Sequence, residues 1–353
     1  MKKLLIIAGG TGGHIFPALT VADELQKQGV AIEWIGTEAG MEKKLIANHF
    51  PLYFLPVKTF RGKSLCEKFI VPFRLLHAVF LAYRLIKKIN PDVVLGMGGY
   101  ASGPGGIAAW LLRKPLIIHE QNAKAGLTNR LLSHFSKKVL QAFPNTFSKR
   151  MHAITVGNPV RPDIQKINHG ITEAKPYKIL VLGGSQGAQT INQLMTKWVS
   201  LFDDRESFFI WHQTGQKDFQ TVLEGYQSWP EVIYRVSPFI EKIEEAYSWA
   251  DLVICRAGAL TVSEVAAAGL PSILIPYPFA ADDHQYANAL FLQKKGAGIV
   301  FRELELTAEK LNDCLKDLFS SSKRLHLMSN QAKLCAQPDS VSDIIKVLRG
   351  LSC

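Results

Sequence analysis

Four glycine-rich turns carry most of the chemistry that can be read from this chain. Gly9-Gly10-Thr11-Gly12-Gly13-His14, Gly98-Gly99-Tyr100-Ala101-Ser102-Gly103-Pro104-Gly105-Gly106, Gly183-Gly184-Ser185-Gln186-Gly187 and the turn at Gly258 each follow a short apolar run and precede a helical stretch. Glycine lets backbone approach a ligand closely, and a helix N-terminus presents N–H groups and the positive end of its dipole. The chemistry that fits is the binding of phosphate or diphosphate. Arg256 adds a positive charge in the last of these turns. His14 closes the first, and histidine has a side-chain pKa near neutrality, so it is a candidate general base. Glu120 is its rival. Thr261-Val262-Ser263-Glu264 opens a helix and reads equally as a capping box or as part of a ligand site. Asp203-Asp204 and Asp282-Asp283 are adjacent rather than spaced as D-x-D, and no histidines or cysteines have zinc spacing. A leaving diphosphate would then be met by a helix N-terminus and arginine, with no metal expected. Gly183-Gly184-Ser185-Gln186-Gly187 also fits G-x-S-x-G. With Asp251 or Asp282 and then His284 it would make a hydrolase triad, although that leaves the first half of the chain without a role.

The elements that must position these residues follow from the apolar runs. Leu4–Ala8, Ile32–Ile35, Asp92–Met97 and Leu116–His119 read as strands of a first half, with a helix from Pro17 to Gln28. Ile179–Leu182, Phe208–Gln213, Val232–Val236, Leu252–Cys255 and Ser272–Ile275 read as strands of a second, with helices from about Thr190 and over Thr261–Ala268. Each half thus opens as strand, glycine turn and helix. In open α/β sheets ligands bind beyond the carboxyl ends of the strands, which groups His14, Tyr100, Glu120 and Asn122. The first turn is not G-x-G-x-x-G, and no acidic residue ends the second strand, so a nicotinamide site is excluded.

At 353 residues with 47% hydrophobic and 20% charged residues, the chain can bury two cores. The junction is expected at Val156–Pro162, giving domains 1–158 and 159–337, with a last helix at about 338–353 packing back on the first. Residues 1–158 hold 21 Lys and Arg against 8 Asp and Glu, a net +13, whereas the remainder is at −2. An anionic partner is therefore expected on the first half: nucleic acid, a membrane surface or a phosphorylated substrate. Residues 67–88 are apolar and basic, too interrupted by charge to span a bilayer, and read either as a helix lying on an anionic leaflet or as one docked on the sheet. Five scattered cysteines fit a reducing compartment, and the apolar run at Leu4–Ala8 is too short for a signal peptide.

Taken in order, the first two turns, His119-Glu120-Gln121-Asn122, Gly157-Asn158-Pro159-Val160-Arg161, Gly183-Gly184-Ser185-Gln186-Gly187-Ala188 and Leu260-Thr261-Val262-Ser263-Glu264 resemble the motifs of the GT-B glycosyltransferases, in particular those that glycosylate lipid I in peptidoglycan synthesis. The resemblance runs over nearly the whole chain. It implies an α/β fold of two Rossmann-like domains facing across a cleft, and a peripheral enzyme on the cytoplasmic face of the bacterial inner membrane. The reaction implied is inverting transfer of N-acetylglucosamine from UDP-N-acetylglucosamine to the C4 hydroxyl of lipid I, without cofactor, metal or nucleic acid. Arg161, Ser185, Ile240, Ala259, Leu260, Thr261, Val262, Ser263, Glu264 and Gln285 would bind the donor, Glu264 through the ribose. Thr11, Gly12, Gly13 and Asn122 would meet the donor sugar. Gly98, Gly99, Tyr100, Ser102 and Gly103 would cradle the lipid diphosphate, with His14 or Glu120 catalytic. The anionic membrane would be met through residues 67–88. A UDP-N-acetylglucosamine 2-epimerase of the same fold would need the donor site but not the basic first half.

Overall fold

The computed structural model describes residues 1–38, 40–57, 65–184, 187–201 and 204–351, with side chains for all of these except 65–70. The chain forms two compact units, residues 1–160 with 337–353, and residues 161–336. In the first, β1 (Lys3–Ile7), α1 (Gly12–Lys27), β2 (Ala31–Thr37), α2 (Glu42–Leu45), β3 (Leu52–Leu55), α3 (Leu65–Ile89), β4 (Val93–Gly96), α4 (Ser102–Leu111), β5 (Leu116–Glu120), α5 (Leu127–Leu132), β6 (Lys138–Gln141) and β7 (Ile154–Thr155) alternate along the chain. The strands form one parallel sheet in the order β3-β2-β1-β4-β5-β6-β7. The central strands β1 and β4 are nearly continuous apolar runs because both faces of the sheet are covered there. Leu4 and Ile6 join Val21 and Leu25 of α1 in one core layer, while Leu5 and Ile7 join Ala82 and Ile86 of α3 in the other. Each valine, leucine or isoleucine among them contributes about 1.5–3 kcal/mol on burial.

Two local features differ from the sequence expectation. Helix α1 begins at Gly12 rather than Pro17, so Gly12, Gly13 and His14 form its first turn. Pro17 sits inside the helix, where it deprives the Gly13 carbonyl of its usual donor. Helix α3 is docked on the sheet, as the second reading of its sequence expects, and it keeps an exposed apolar side as well. Ala78, Ala82, Ile86 and Ile89 are buried against the sheet, while Phe73, Leu76 and Phe80 on the other side are 72%, 67% and 56% exposed. Both sets recur at helical spacing, so one helix carries two apolar faces. Among the described residues, no helix is long and apolar enough to cross a membrane.

The second unit repeats the plan with α6 (Pro162–Gln165), β8 (Tyr177–Leu182), α7 (Gln189–Ser200), β9 (Phe208–Gln213), α8 (Phe219–Gln227), β10 (Ile233–Ser237), α9 (Ile243–Trp249), β11 (Leu252–Cys255), α10 (Ala259–Ala268), β12 (Ser272–Leu274), α11 (His284–Gln293), β13 (Gly298–Val300), α12 (Ala308–Phe319) and α13 (Ser322–Cys335). Its parallel sheet has the order β10-β9-β8-β11-β12-β13. The last helix, α14 (Ser340–Arg349), belongs to the first unit. Its Ile344, Ile345 and Leu348 share a core layer with α1, and Arg349 donates to Gln28 Oε1 at 2.6 Å. Strand order reverses between β1 and β4 in one unit and between β8 and β11 in the other. Those are the switch points where such sheets bind ligands, and all four glycine turns follow these four strands.

Candidate functional site

In the first unit the switch point gathers the ends of β1, β4 and β5. Gly98 adopts φ +94° and the His14 ring lies over it, so that a Cβ there would come within 3.0 Å of His14 Cε1 and Nδ1. His14 Nδ1 is 2.9 Å from Gln121 Oε1, just past the end of β5. Glu120, 2% exposed, accepts four hydrogen bonds: from the Asn122 N–H and Nδ2 at 3.0 and 3.2 Å on Oε1, and from the Gly126 N–H and Asn129 Nδ2 at 3.0 Å on Oε2. With both oxygens so engaged, Glu120 holds the loop 122–126 in place. Asn122 is brought beside Glu120, Thr11 is exposed at the N-terminus of α1, and Tyr100 is 40% exposed after Gly99.

Most of the glycines after β4 are required by the protein itself, apart from any close approach to a ligand. A Cβ on Gly99 would come within 3.1 Å of the Gly9 carbonyl carbon and closer still to its oxygen. One on Gly105 would meet Ile7 Cδ1 at 2.5 Å, and one on Gly106 would meet Leu132 Cδ2 at 2.7 Å. Only Gly103 has ordinary room, 3.7 Å from Thr128 Cγ2. Ser102 is a second correction. Its hydroxyl is fully buried within reach of the Gly98 and Ile7 carbonyls, at 2.6 and 2.9 Å, so its side chain is turned away from any diphosphate. What the turn offers a ligand is the N-terminus of α4 and the backbone of Gly98, Gly99 and Gly103.

In the second unit, α10 starts at Ala259 with Gly258 as its N-cap, two residues before the expected Thr261. The capping box is therefore absent: Thr261 is inside the helix and Glu264 reaches elsewhere. Glu264 Oε2 accepts from the Tyr247 hydroxyl at 3.1 Å, and Oε1 stands 3.7 Å from Arg161 Nη2. Burial raises the Glu264 carboxyl to about 6, and the nearby Arg161 charge opposes that rise. Burial likewise pushes the Cys255 thiol to about 12, so it stays inert. The first-turn N–H groups of α10, at Ala259, Leu260 and Thr261, lie at the positive end of the helix dipole. Val262 is fully buried, so its side chain faces no ligand, and the half-buried Ser263 donates its hydroxyl proton to Ala259 O at 3.0 Å. Ile240 is buried with its N–H on Gln213 Oε1 at 3.2 Å, and Gln285 Oε1 accepts from the Tyr277 N–H at 2.9 Å. Ser185 lies outside the described residues.

Two other readings are overturned. Arg256 pairs with Glu303 and donates to the Ile275 and Pro276 carbonyls, so its charge is neutralised locally. It is a strut rather than a diphosphate ligand. Asp251 accepts from the Thr172 and Lys178 N–H groups at 2.7 and 2.8 Å. It therefore sits by the start of β8, the opposite end from loop 183–187, and cannot serve a triad there.

Against known proteins, residues 4–141 match the glycosyltransferase family 28 N-terminal domain and residues 178–347 its C-terminal domain. The chain belongs to glycosyltransferase family 28. A Coxiella burnetii protein named UDP-N-acetylglucosamine--N-acetylmuramyl-(pentapeptide) pyrophosphoryl-undecaprenol N-acetylglucosamine transferase is 48% identical over 98% of this chain and 97% of its own. The crystal structure of Acinetobacter baumannii MurG superposes with a TM-score of 0.84 at 39% identity, covering 99% of this chain and all of that one. UDP-GlcNAc 2-epimerase from Neisseria meningitidis, solved with UDP-GlcNAc, is 14% identical with a TM-score of 0.68 over 99% of this chain and 100% of that one, a likeness of fold alone.

Three further side chains, two in the first unit and one in the second, gave no signal as single residues. Glu42 is fully buried, and its Oε1 accepts from the Gly10 N–H, the Thr37 N–H and the Thr37 hydroxyl at 2.9–3.0 Å, clamping the first glycine turn. Tyr247 orients Glu264 from α9. Gln121, inside the quoted H-E-Q-N motif, is the third.

Proposed function

We propose that this glycosyltransferase moves N-acetylglucosamine from UDP-N-acetylglucosamine to the C4 hydroxyl of the N-acetylmuramoyl sugar of lipid I, with inversion, at the cytoplasmic face of the inner membrane. The observation that carries this reading is the likeness at 48% identity along essentially the full length to a protein of that printed name. The geometry supplies parts that such a reaction uses. His14 takes the proton of the attacking hydroxyl. The N-terminus of α10 receives the diphosphate, where the dipole favours the charge that develops on departing UDP. Glu264, oriented by Tyr247 and Arg161, accepts hydrogen bonds from the ribose hydroxyls. The N-terminus of α4, with Gly98, Gly99 and Gly103, receives the acceptor diphosphate.

The acceptor is a lipid, and the exposed face of α3 suits an anionic leaflet. Phe73, Leu76 and Phe80 stand beside Arg74, Arg84, Lys87 and Lys88. Trp110 and Leu111 of α4 and Leu127 and Leu131 of α5 are also exposed, and Trp110 packs on Phe135 with centroids 5.1 Å apart. Apolar wedges with basic flanks are what peripheral attachment needs.

The deciding experiment is UDP release from UDP-N-acetylglucosamine with and without a lipid I analogue, with EDTA in parallel. Acceptor-dependent, EDTA-resistant release is expected. Acceptor-independent release with formation of N-acetylmannosamine would replace this reading with the epimerase.

A further inference from the structure

His14, Gln121 and His119 form a hydrogen-bonded row that ends on a backbone carbonyl. Its directions are set by two atoms that can only accept. Gln121 Nε2 lies 3.2 Å from the His119 carbonyl, so the atom there must be the amide nitrogen. That nitrogen also meets His119 Nδ1 at 3.0 Å. His119 Nε2 is 2.9 Å from the Gly157 carbonyl, so Nε2 carries the proton and Nδ1 accepts from Gln121. The amide oxygen is then the atom facing His14 Nδ1, at 2.9 Å, and that nitrogen must be the donor. A neutral His14 so held has its lone pair on Nε2.

We propose that Gln121 is a positioning residue for the transfer: it fixes His14 with the proton on Nδ1 and leaves Nε2 as the basic atom for the acceptor hydroxyl. This rests on the reading of His14 as the base. Imidazole in water favours the other tautomer, so the protein must supply the bias, and a partner on one ring nitrogen is the usual means. The row is well shielded. His119 is fully buried and Gln121 is 1% exposed. Asn158 Nδ2 donates to the Gln121 carbonyl at 3.0 Å, and Gly98 walls the His14 ring from one side. Burial lowers His119 to about 4, so it stays neutral near pH 7 and the directions do not reverse.

The test begins on the unaltered enzyme. Histidine-selective ¹⁵N labelling with long-range ¹H–¹⁵N spectra, His14 assigned by its loss in His14→Gln, reads the tautomer directly. Nδ1 protonated and Nε2 unprotonated is expected. Gln121→Met removes both ends of the relay at similar volume and is expected to shift His14 to the Nε2-protonated form. It should lower kcat 10- to 100-fold, with KM for the nucleotide sugar within about threefold, a share of the range typical of general-base catalysis. Gln121→Glu keeps an acceptor for His14 and is expected to keep its tautomer and more of kcat than Gln121→Met. An Nε2-protonated His14 in the unaltered enzyme overturns the relay, as does wild-type kcat in Gln121→Met while His14→Gln is inactive. Wild-type kcat in His14→Gln overturns the base reading itself, whatever the spectra show.

Discussion

Gly99→Ala should damage the first unit far more than Gly10→Ala, although both glycines have φ in the left-handed half of the map, at +80° and +96°. At Gly10 an added Cβ meets nothing within 4 Å, so only the backbone penalty applies, roughly 1–2 kcal/mol. At Gly99 the new Cβ lands within 3.1 Å of the Gly9 carbonyl carbon and closer still to its oxygen. The obstacle is backbone, and that backbone is pinned. The Ala8 N–H donates to Ile35 O at 3.2 Å, the Gly10 N–H to Glu42 at 2.9 Å and the Met97 N–H to Ile7 O at 2.9 Å. Overpacking at such a site costs about 1–3 kcal/mol, and one weakened hydrogen bond about 1 kcal/mol more. The total for Gly99→Ala is then about 3–6 kcal/mol, a drop in urea midpoint of about 1–2 M at the slopes usual for domains of this size. Urea titration followed by hydrogen-exchange mass spectrometry of the β1 and β4 peptides reads this unit separately from the other. Equal destabilisation by the two variants would refute the close approach of the two glycine turns.

Glu264→Gln should raise KM for the nucleotide sugar at least tenfold with kcat changed less than threefold, since a hydrogen bond to a charged group contributes roughly 1.5–3 kcal/mol. Because Glu264 titrates at about 6, the wild-type KM should climb towards tenfold per pH unit below that value. The same slope in the variant would show that another group titrates. His119 predicts acid sensitivity of the first unit. Its folded value of about 4 lies below the unfolded 6.5, so the unfolded chain binds the extra proton between them, and stability present above pH 6.5 is lost as pH falls towards 4. Denaturation at pH 6.5 and pH 5, above the ordinary carboxylate range, should differ by roughly 2 kcal/mol in this unit, and equal midpoints would count against a neutral buried His119. Replacing Phe73, Leu76 and Phe80 together by serine should cut binding to vesicles containing anionic lipid at least 100-fold, with UDP release on a water-soluble acceptor unchanged. Undiminished vesicle binding would remove α3 from the attachment surface.

What the sequence shows well is what depends on neighbours along the chain. Leu4–Ala8 and Leu252–Cys255 announce buried parallel strands by composition, and the glycine turns mark the strands on either side of each switch point. Errors arise where a local rule meets a tertiary alternative. Pro17 looks like a first helical residue, yet the helix runs back through two glycines to Gly12. Thr261 and Glu264 have capping-box spacing, but Tyr247 and Arg161 supply Glu264 with better partners from outside the helix. Arg256 looks like a free charge until Glu303, distant in sequence, neutralises it. Glu42 in a Glu-Lys-Lys run gives no local signal, and only the fold reveals it as the clamp of Gly10. Gln121 needs His14, 107 residues away, to acquire a role.

The return of α14 to α1 sets an order on biosynthesis. The first unit is built from both stretches of the chain, 1–160 and 337–353, with the whole of the second unit threaded between them. On the ribosome the second unit has all its strands and helices by residue 336, while the layer of the first that waits for Ile344, Ile345 and Leu348 stays uncovered. At the usual rates of elongation, synthesis from residue 161 to Leu348 takes ~10–40 s. The apolar side of α1 is then open to water or to a chaperone, and the unit synthesised first is the last to be finished.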